Sequence, residues 1–120
     1  NHAWGAAPAN IIPRFLVGVR PAEPGFASVL IAPQPADLEW VRAEVPTPRG
    51  TVAVEFEQPD DAGLRRLAID VPDGSTARLD LSSMLPPRAP IEVDGAQTTV
   101  AALSSGTLSG GAHLVERPAG

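Results

Sequence analysis

TVAVEFE (51–57) alternates without a break: Val52, Val54 and Phe56 fall on one face, Ala53, Glu55 and Glu57 on the other. A period of two over seven residues is that of a β-strand with one side buried and one in water. The neighbouring stretches repeat the pattern. LRRLAIDVP (64–72) turns Leu67, Ile69 and Val71 inward, and TARLDL (76–81) does the same with Ala77, Leu79 and Leu81. Asp73-Gly74 between these two runs is a hairpin signal, so the second run is expected to pair with the first. TPRG (47–50) is a turn and QPDDAG (58–63) a polar loop.

Upstream, FASVLIAP (26–33) is a compact run of β-formers stopped by Pro33 and Pro35, giving a buried strand at about Ala27 to Ala32. LEWVRAEV (38–45) puts Leu38 and Trp40 on one face, then Val41, Ala43 and Val45 on the other, a phase slip that predicts a bulge. Downstream, PPRAP (86–90) imposes an extended crossing and Ile91 and Val93 mark a short strand. Weaker strands are expected around Thr98–Ala102 and His113–Glu116, with a flexible loop at SSGTLSGG (104–111). Seven or eight short strands, each followed by a turn signal roughly every ten residues, describe an antiparallel β-sandwich of the jelly-roll or immunoglobulin-like kind.

The first residues break the period. Ile11, Ile12, Phe15, Leu16 and Val19 recur as one face of an α-helix, with Asn10 as N-cap, Pro13 in the first turn, and Gly18 and Pro21 closing it. The fold class is therefore mainly β, a sandwich preceded by one N-terminal α-helix. That helix presents an apolar face with no partner ahead of it in the chain. It is expected to fold onto the sandwich or to pair with another copy.

Composition narrows the function. The 120 residues suit one core, and 14 Pro with 11 Gly favour short elements and many turns. Net charge is −5 and all nine basic residues are Arg, so no cationic patch is expected for nucleic acid or an anionic membrane. There is no cysteine, hence no disulfide and no thiolate metal site, and the compartment stays open. No apolar run nears the roughly 18 residues that span a bilayer.

Catalytic chemistry is thin. His2 and His113 stand at opposite ends without the spacing of a metal motif, and no cofactor or metal is expected. Glu55 and Glu57 share a face and could meet a substrate as a carboxylate pair, but alternating outward glutamates are far more often a solvated surface. Asp60 and Asp61 read as turn formers rather than calcium ligands, for which the loop offers too few oxygens. Trp40 could stack a sugar ring; with aromatic content of 4%, a core or interface aromatic is the favoured reading. His113 is expected to be a partly exposed imidazole without a role.

Four blocks carry a resemblance: HAWGAAPA (2–9), PRFLVGVRP (13–21), EPGFASVLIAPQP (23–35) and VPTPRG (45–50). Their order and spacing resemble the C-terminal region of bacterial α-L-rhamnosidases, glycoside hydrolase family seventy-eight, and VPDGSTARLDL with the turn Val93–Gly95 continues the likeness. In that family an (α/α)-barrel catalytic domain is followed by an antiparallel β-sandwich. The resemblance implies that this chain is a fragment: residues 1–19 as the last helix of the barrel and 20–120 as the C-terminal sandwich, partnered by the catalytic barrel. The family hydrolyses terminal α-L-rhamnosyl residues with inversion, and both catalytic glutamates lie upstream of the matched segment. By resemblance, His2 is the substrate-binding residue, reaching the sugar only in the intact enzyme. The implied function is a non-catalytic accessory sandwich. A stand-alone carbohydrate-binding module using Trp40, or a structural protein-interaction sandwich, is the alternative.

Overall fold

The computed structural model describes residues 17–34, 38–58 and 63–118. Nine strands run through them: β1 Val19–Pro21, β2 Ser28–Ile31, β3 Trp40–Thr47, β4 Gly50–Glu57, β5 Arg66–Val71, β6 Thr76–Leu79, β7 Pro90–Val93, β8 Ala96–Thr99 and β9 Gly111–Glu116. One short helix, α1 (Val100–Ser104), separates the last two. The strands form a three-stranded sheet, β1-β2-β6, and a six-stranded sheet, β3-β4-β5-β9-β7-β8. One hydrophobic core draws on both, with Val29, Ile31 and Leu79 from the small sheet and Val54, Phe56 and Leu67 from the large one. The fold is thus the expected mainly β sandwich.

Alternation does what it promised in the centre of the large sheet. Val52, Val54 and Phe56 on β4 are buried at 0 to 1% exposure, and Leu67, Ile69 and Val71 on β5 at 0 to 3%. Registers Val54↔Ile69 and Phe56↔Leu67 stack these side chains on one face. At the edge of the sheet, β3 runs in unbroken register with β4 from Trp40↔Glu57 to Thr47↔Gly50. The expected bulge is absent: the strand starts at Trp40, so Leu38 never enters the alternation and no phase slip exists. Pro46 within β3 is tolerable because an edge strand has one unpaired side on which a missing N–H costs nothing.

Three further expectations are corrected. The Asp73-Gly74 turn does not make a hairpin: β6 leaves β5 and pairs in parallel with β2, so the small sheet is mixed. The Pro72 carbonyl accepts from the Ser75 N–H at 3.1 Å and only Gly74 is left-handed (φ 86), as in a type II turn, which does not match the twist of a two-residue hairpin. Asp94-Gly95, the same dipeptide, has both residues left-handed (φ 52 and 86) and does join a hairpin, β7 to β8. The position beside β5 is taken by β9, in register from Arg66↔Glu116 to Val71↔Gly111.

The second correction concerns Thr98–Ala102. Strand β8 ends at Thr99, whose Oγ1 accepts from the Ala102 N–H at 3.2 Å and caps α1, and Val100 and Leu103 close the core from that helix. The third concerns the N-terminal helix. Most of it, with His2, lies outside the described residues, but Val17–Val19 are not its last turn: Val19 opens β1 opposite Ile31, and Val17 is fully buried in the sandwich core. Gly18 makes that possible. It is left-handed (φ 76), and a Cβ there would lie 2.1 Å from the Ala32 carbonyl oxygen.

The sheets are joined at one corner by hydrogen bonds. Arg49, at the tip of the β3–β4 turn, donates through Nε to the Gly25 carbonyl at 3.0 Å. Beside it, within the small sheet, the starts of β2 and β6 are tied together: buried Ser75 donates Oγ to the Phe26 carbonyl at 2.9 Å, and the Thr76 N–H reaches Ala27 O at 3.0 Å.

Candidate functional site

The outer face of the large sheet carries three rows set by register. Trp40, Glu57, Arg66, Glu116, Glu92 and Gln97 form one row across all six strands. Arg42, Glu55, Ala68 and Leu114 form the next, and Glu44, Ala53, Asp70 and Ala112 the third. Alanines at the centre leave a shallow depression of about 240 Å³ rimmed by Arg42, Glu44, Glu55 and Asp70. A second depression, about 210 Å³, is lined by Glu39, Trp40, Glu55 and Glu57. Glu55 and Glu57 therefore do share a face, and they share it with Trp40.

Trp40 is 64% exposed, which removes it from the core. Alternation from β3 dictates this, since burying Val41 against Phe56 turns Trp40 outward. Leu38, two residues earlier, is 43% exposed; among the described residues these two are the large apolar side chains left in solvent. The Leu38 carbonyl accepts from Gln58 Nε2 at 2.7 Å, and the Gln58 N–H reaches Glu39 O at 2.7 Å, so the approach to β3 is pinned to the end of β4.

His113 is partly exposed, as expected, and is held at both ring nitrogens. It sits on the inner face of β9, opposite Ile69, with its side chain only 11% exposed. Both ring nitrogens meet acceptors: Nδ1 lies 2.7 Å from Asp94 Oδ2 and Nε2 lies 2.7 Å from the Ser109 carbonyl. Asp94 also accepts the Leu114 N–H on Oδ1 at 2.8 Å. Burial alone would lower the imidazole pKa, but the bonds to Asp94 and Ser109 outweigh it and raise it above 6.5; the His113 bond, then the Leu114 N–H, hold Asp94 below 3.8. Sequence reasoning missed Asp94 and Ser109, because only the β7–β9 pairing brings the three together. Asp80, likewise missed, accepts from Ser82 Oγ and N, which depress its pKa.

Of the other candidates, His2, Asp60 and Asp61 lie outside the described residues. Among the described residues no cluster of three His, Cys, Asp or Glu side chains is placed to hold a metal ion, and no helix is long and apolar enough to cross a membrane.

Three solved structures with this architecture are α-L-rhamnosidases by name. The chain superposes on an α-L-rhamnosidase from Dictyoglumus thermophilum with a TM-score of 0.74 at 18% identity, covering 92% of this chain and 13% of that one. An α-L-rhamnosidase from Streptomyces avermitilis, solved with L-rhamnose, gives 0.64 at 22% identity over 96% and 11%. One from Aspergillus terreus gives 0.65 at 20% over 96% and 12%. These likenesses establish the fold, and the chain spans only 11–13% of the length of those proteins. No curated protein matches it significantly. The family model for the bacterial α-L-rhamnosidase C-terminal domain, however, matches residues 18–99, from Gly18 before β1 to the end of β8. That match covers well over half of the sequence, and the chain belongs to the bacterial α-L-rhamnosidase C-terminal domain family.

Proposed function

We propose that this chain is the non-catalytic C-terminal sandwich of an inverting α-L-rhamnosidase and that it packs on the catalytic barrel, stabilising it rather than performing chemistry. The family match over residues 18–99 carries this reading. Inverting hydrolysis needs a general acid and a general base on opposite sides of the glycosidic bond, typically about 6.5–9.5 Å apart with room for a water. Glu55 and Glu57 do not suit those roles. They project side by side from one strand face into a shallow open depression, not from opposite walls of a cleft that could hold a glycosidic bond and a water between them. The acid and base belong to the barrel in this reading.

The segment ahead of the sandwich is then the end of the barrel, with His2 hydrogen-bonding a hydroxyl of the bound rhamnosyl group. The test is to express the reading frame extended upstream, with and without residues 20–120. The longer polypeptide should release rhamnose from an aryl α-L-rhamnoside, and removal of the sandwich should lower its melting temperature and recoverable activity. An extended polypeptide without rhamnosidase activity would refute the reading. His2→Ala in the active polypeptide should raise KM.

A further inference from the structure

We propose that the beginning of β3 is the surface by which the sandwich seats on the rest of its polypeptide, given that it is one domain of a longer rhamnosidase, and that its occupant is a cationic side chain, arginine or lysine, laid on the Trp40 indole.

Three observations converge there. Leu38 and Trp40 are the exposed large apolar side chains among the described residues, and they lie two residues apart on the approach to an edge strand. A soluble domain gains nothing by leaving an indole 64% in water, whereas one carried by a larger chain buries such residues against its neighbour.

The surroundings specify the neighbour's charge. Glu39, Glu55 and Glu57 line the depression beside the ring. Arg42 and Arg66 stand in register opposite Glu55 and Glu57, yet neither closes a salt bridge onto these carboxylates. An indole face attracts a cation through its quadrupole, and three nearby carboxylates strengthen the same preference. A carboxylate or phosphate is repelled.

Position agrees. The Ala32 N–H bonds the Gly18 carbonyl at 3.0 Å, so the point where the chain passes into β1 lies against Ala32. Trp40 is eight residues along the chain from Ala32, which limits their separation to roughly 27 Å. Whatever precedes β1 is thus within reach of Trp40.

Footprinting tests this on intact protein. Hydroxyl-radical oxidation of Trp40 and carboxyl labelling of Glu39, Glu55 and Glu57 are compared between the full-length polypeptide and the 120-residue chain. Labelling should fall at least about fivefold at Trp40 and the glutamates in the longer protein, and Glu39→Gln with Glu57→Gln should restore part of the Trp40 oxidation. Equal Trp40 oxidation in both, with protection elsewhere on the sandwich, overturns the docking face but leaves the accessory-domain reading intact. No protection anywhere overturns both. Protection of Trp40 in the 120-residue chain by millimolar L-rhamnose would make the indole a sugar platform and overturn the cationic occupant.

Discussion

His113 Nδ1 lies 2.7 Å from Asp94 Oδ2 across the β7–β9 junction, and the second ring nitrogen lies 2.7 Å from the Ser109 carbonyl. With an acceptor at each nitrogen, only the doubly protonated ring donates to both. Below the folded pKa of His113 the clasp is an imidazolium–carboxylate pair that holds the β7–β8 turn and the loop before β9 to the strand between them.

Its pH dependence follows from the two shifts. His113 is raised above 6.5, so its contribution is complete below that value and is lost as pH rises through the folded pKa. Asp94 is lowered below 3.8, so its contribution is present above that value and is lost as pH falls through the depressed one. The clasp should be strongest between about pH 4 and 6.5 and weaken as pH rises through the raised pKa of His113. An NMR titration of the His113 ring protons should give a pKa above that of a free histidine. In Asp94→Asn, which keeps an acceptor for Leu114 and tolerates φ 52, that pKa should fall, because burial is then opposed only by the Ser109 carbonyl.

Phe56 and Trp40 are separated by the thickness of one sheet, and their substitutions should differ accordingly. Phe56→Ala empties a fully buried site shared by both sheets and should cost about 3–5 kcal/mol in urea unfolding. Trp40→Ala removes a side chain mostly in water and should change the stability of the 120-residue chain by about 0.5 kcal/mol or less.

Gly18→Ala should be far worse than an ordinary glycine replacement. The new Cβ would fall 2.1 Å from a backbone oxygen that cannot swing away, at a φ of 76 that alanine resists. A loss of at least about 2 kcal/mol is expected from chemical denaturation. Gly25→Ala, equally left-handed but in open space, should cost about 1–2 kcal/mol.

Thr99→Ala removes the α1 cap and should cost about 1 kcal/mol, with Thr99→Ser close to neutral. Amide exchange at Ala102, whose N–H loses its acceptor, should rise with it.

What the sequence made legible was local. Strands β4 and β5 follow from unbroken alternation, and the turn at Pro48-Arg49 from its residue types. Pairing did not follow. Two Asp-Gly turns look alike in sequence, yet one joins a hairpin and the other carries the chain into the second sheet, a choice decided by Pro72 and by β9 occupying the place beside β5. Helix α1 was hidden because Val100 directly follows the β-forming Thr98 and Thr99, and only the Thr99 cap marks the change. Trp40 was expected as a core or interface aromatic; the alternation of β3 removes the first and leaves the second. The His113 clasp depends on Asp94, 19 residues away, and no local pattern encodes that contact.

Under the proposed function this sandwich contains no glycosidase machinery and serves a catalytic domain elsewhere in its polypeptide. Incubation of the purified 120-residue chain with an aryl α-L-rhamnoside, scored for free rhamnose beside a sample to which a known α-L-rhamnosidase has been added, tests it most directly. The account predicts no release above the buffer control by the chain alone. Rhamnose release that co-purifies with the folded chain and disappears in Glu55→Gln or Glu57→Gln would contradict it.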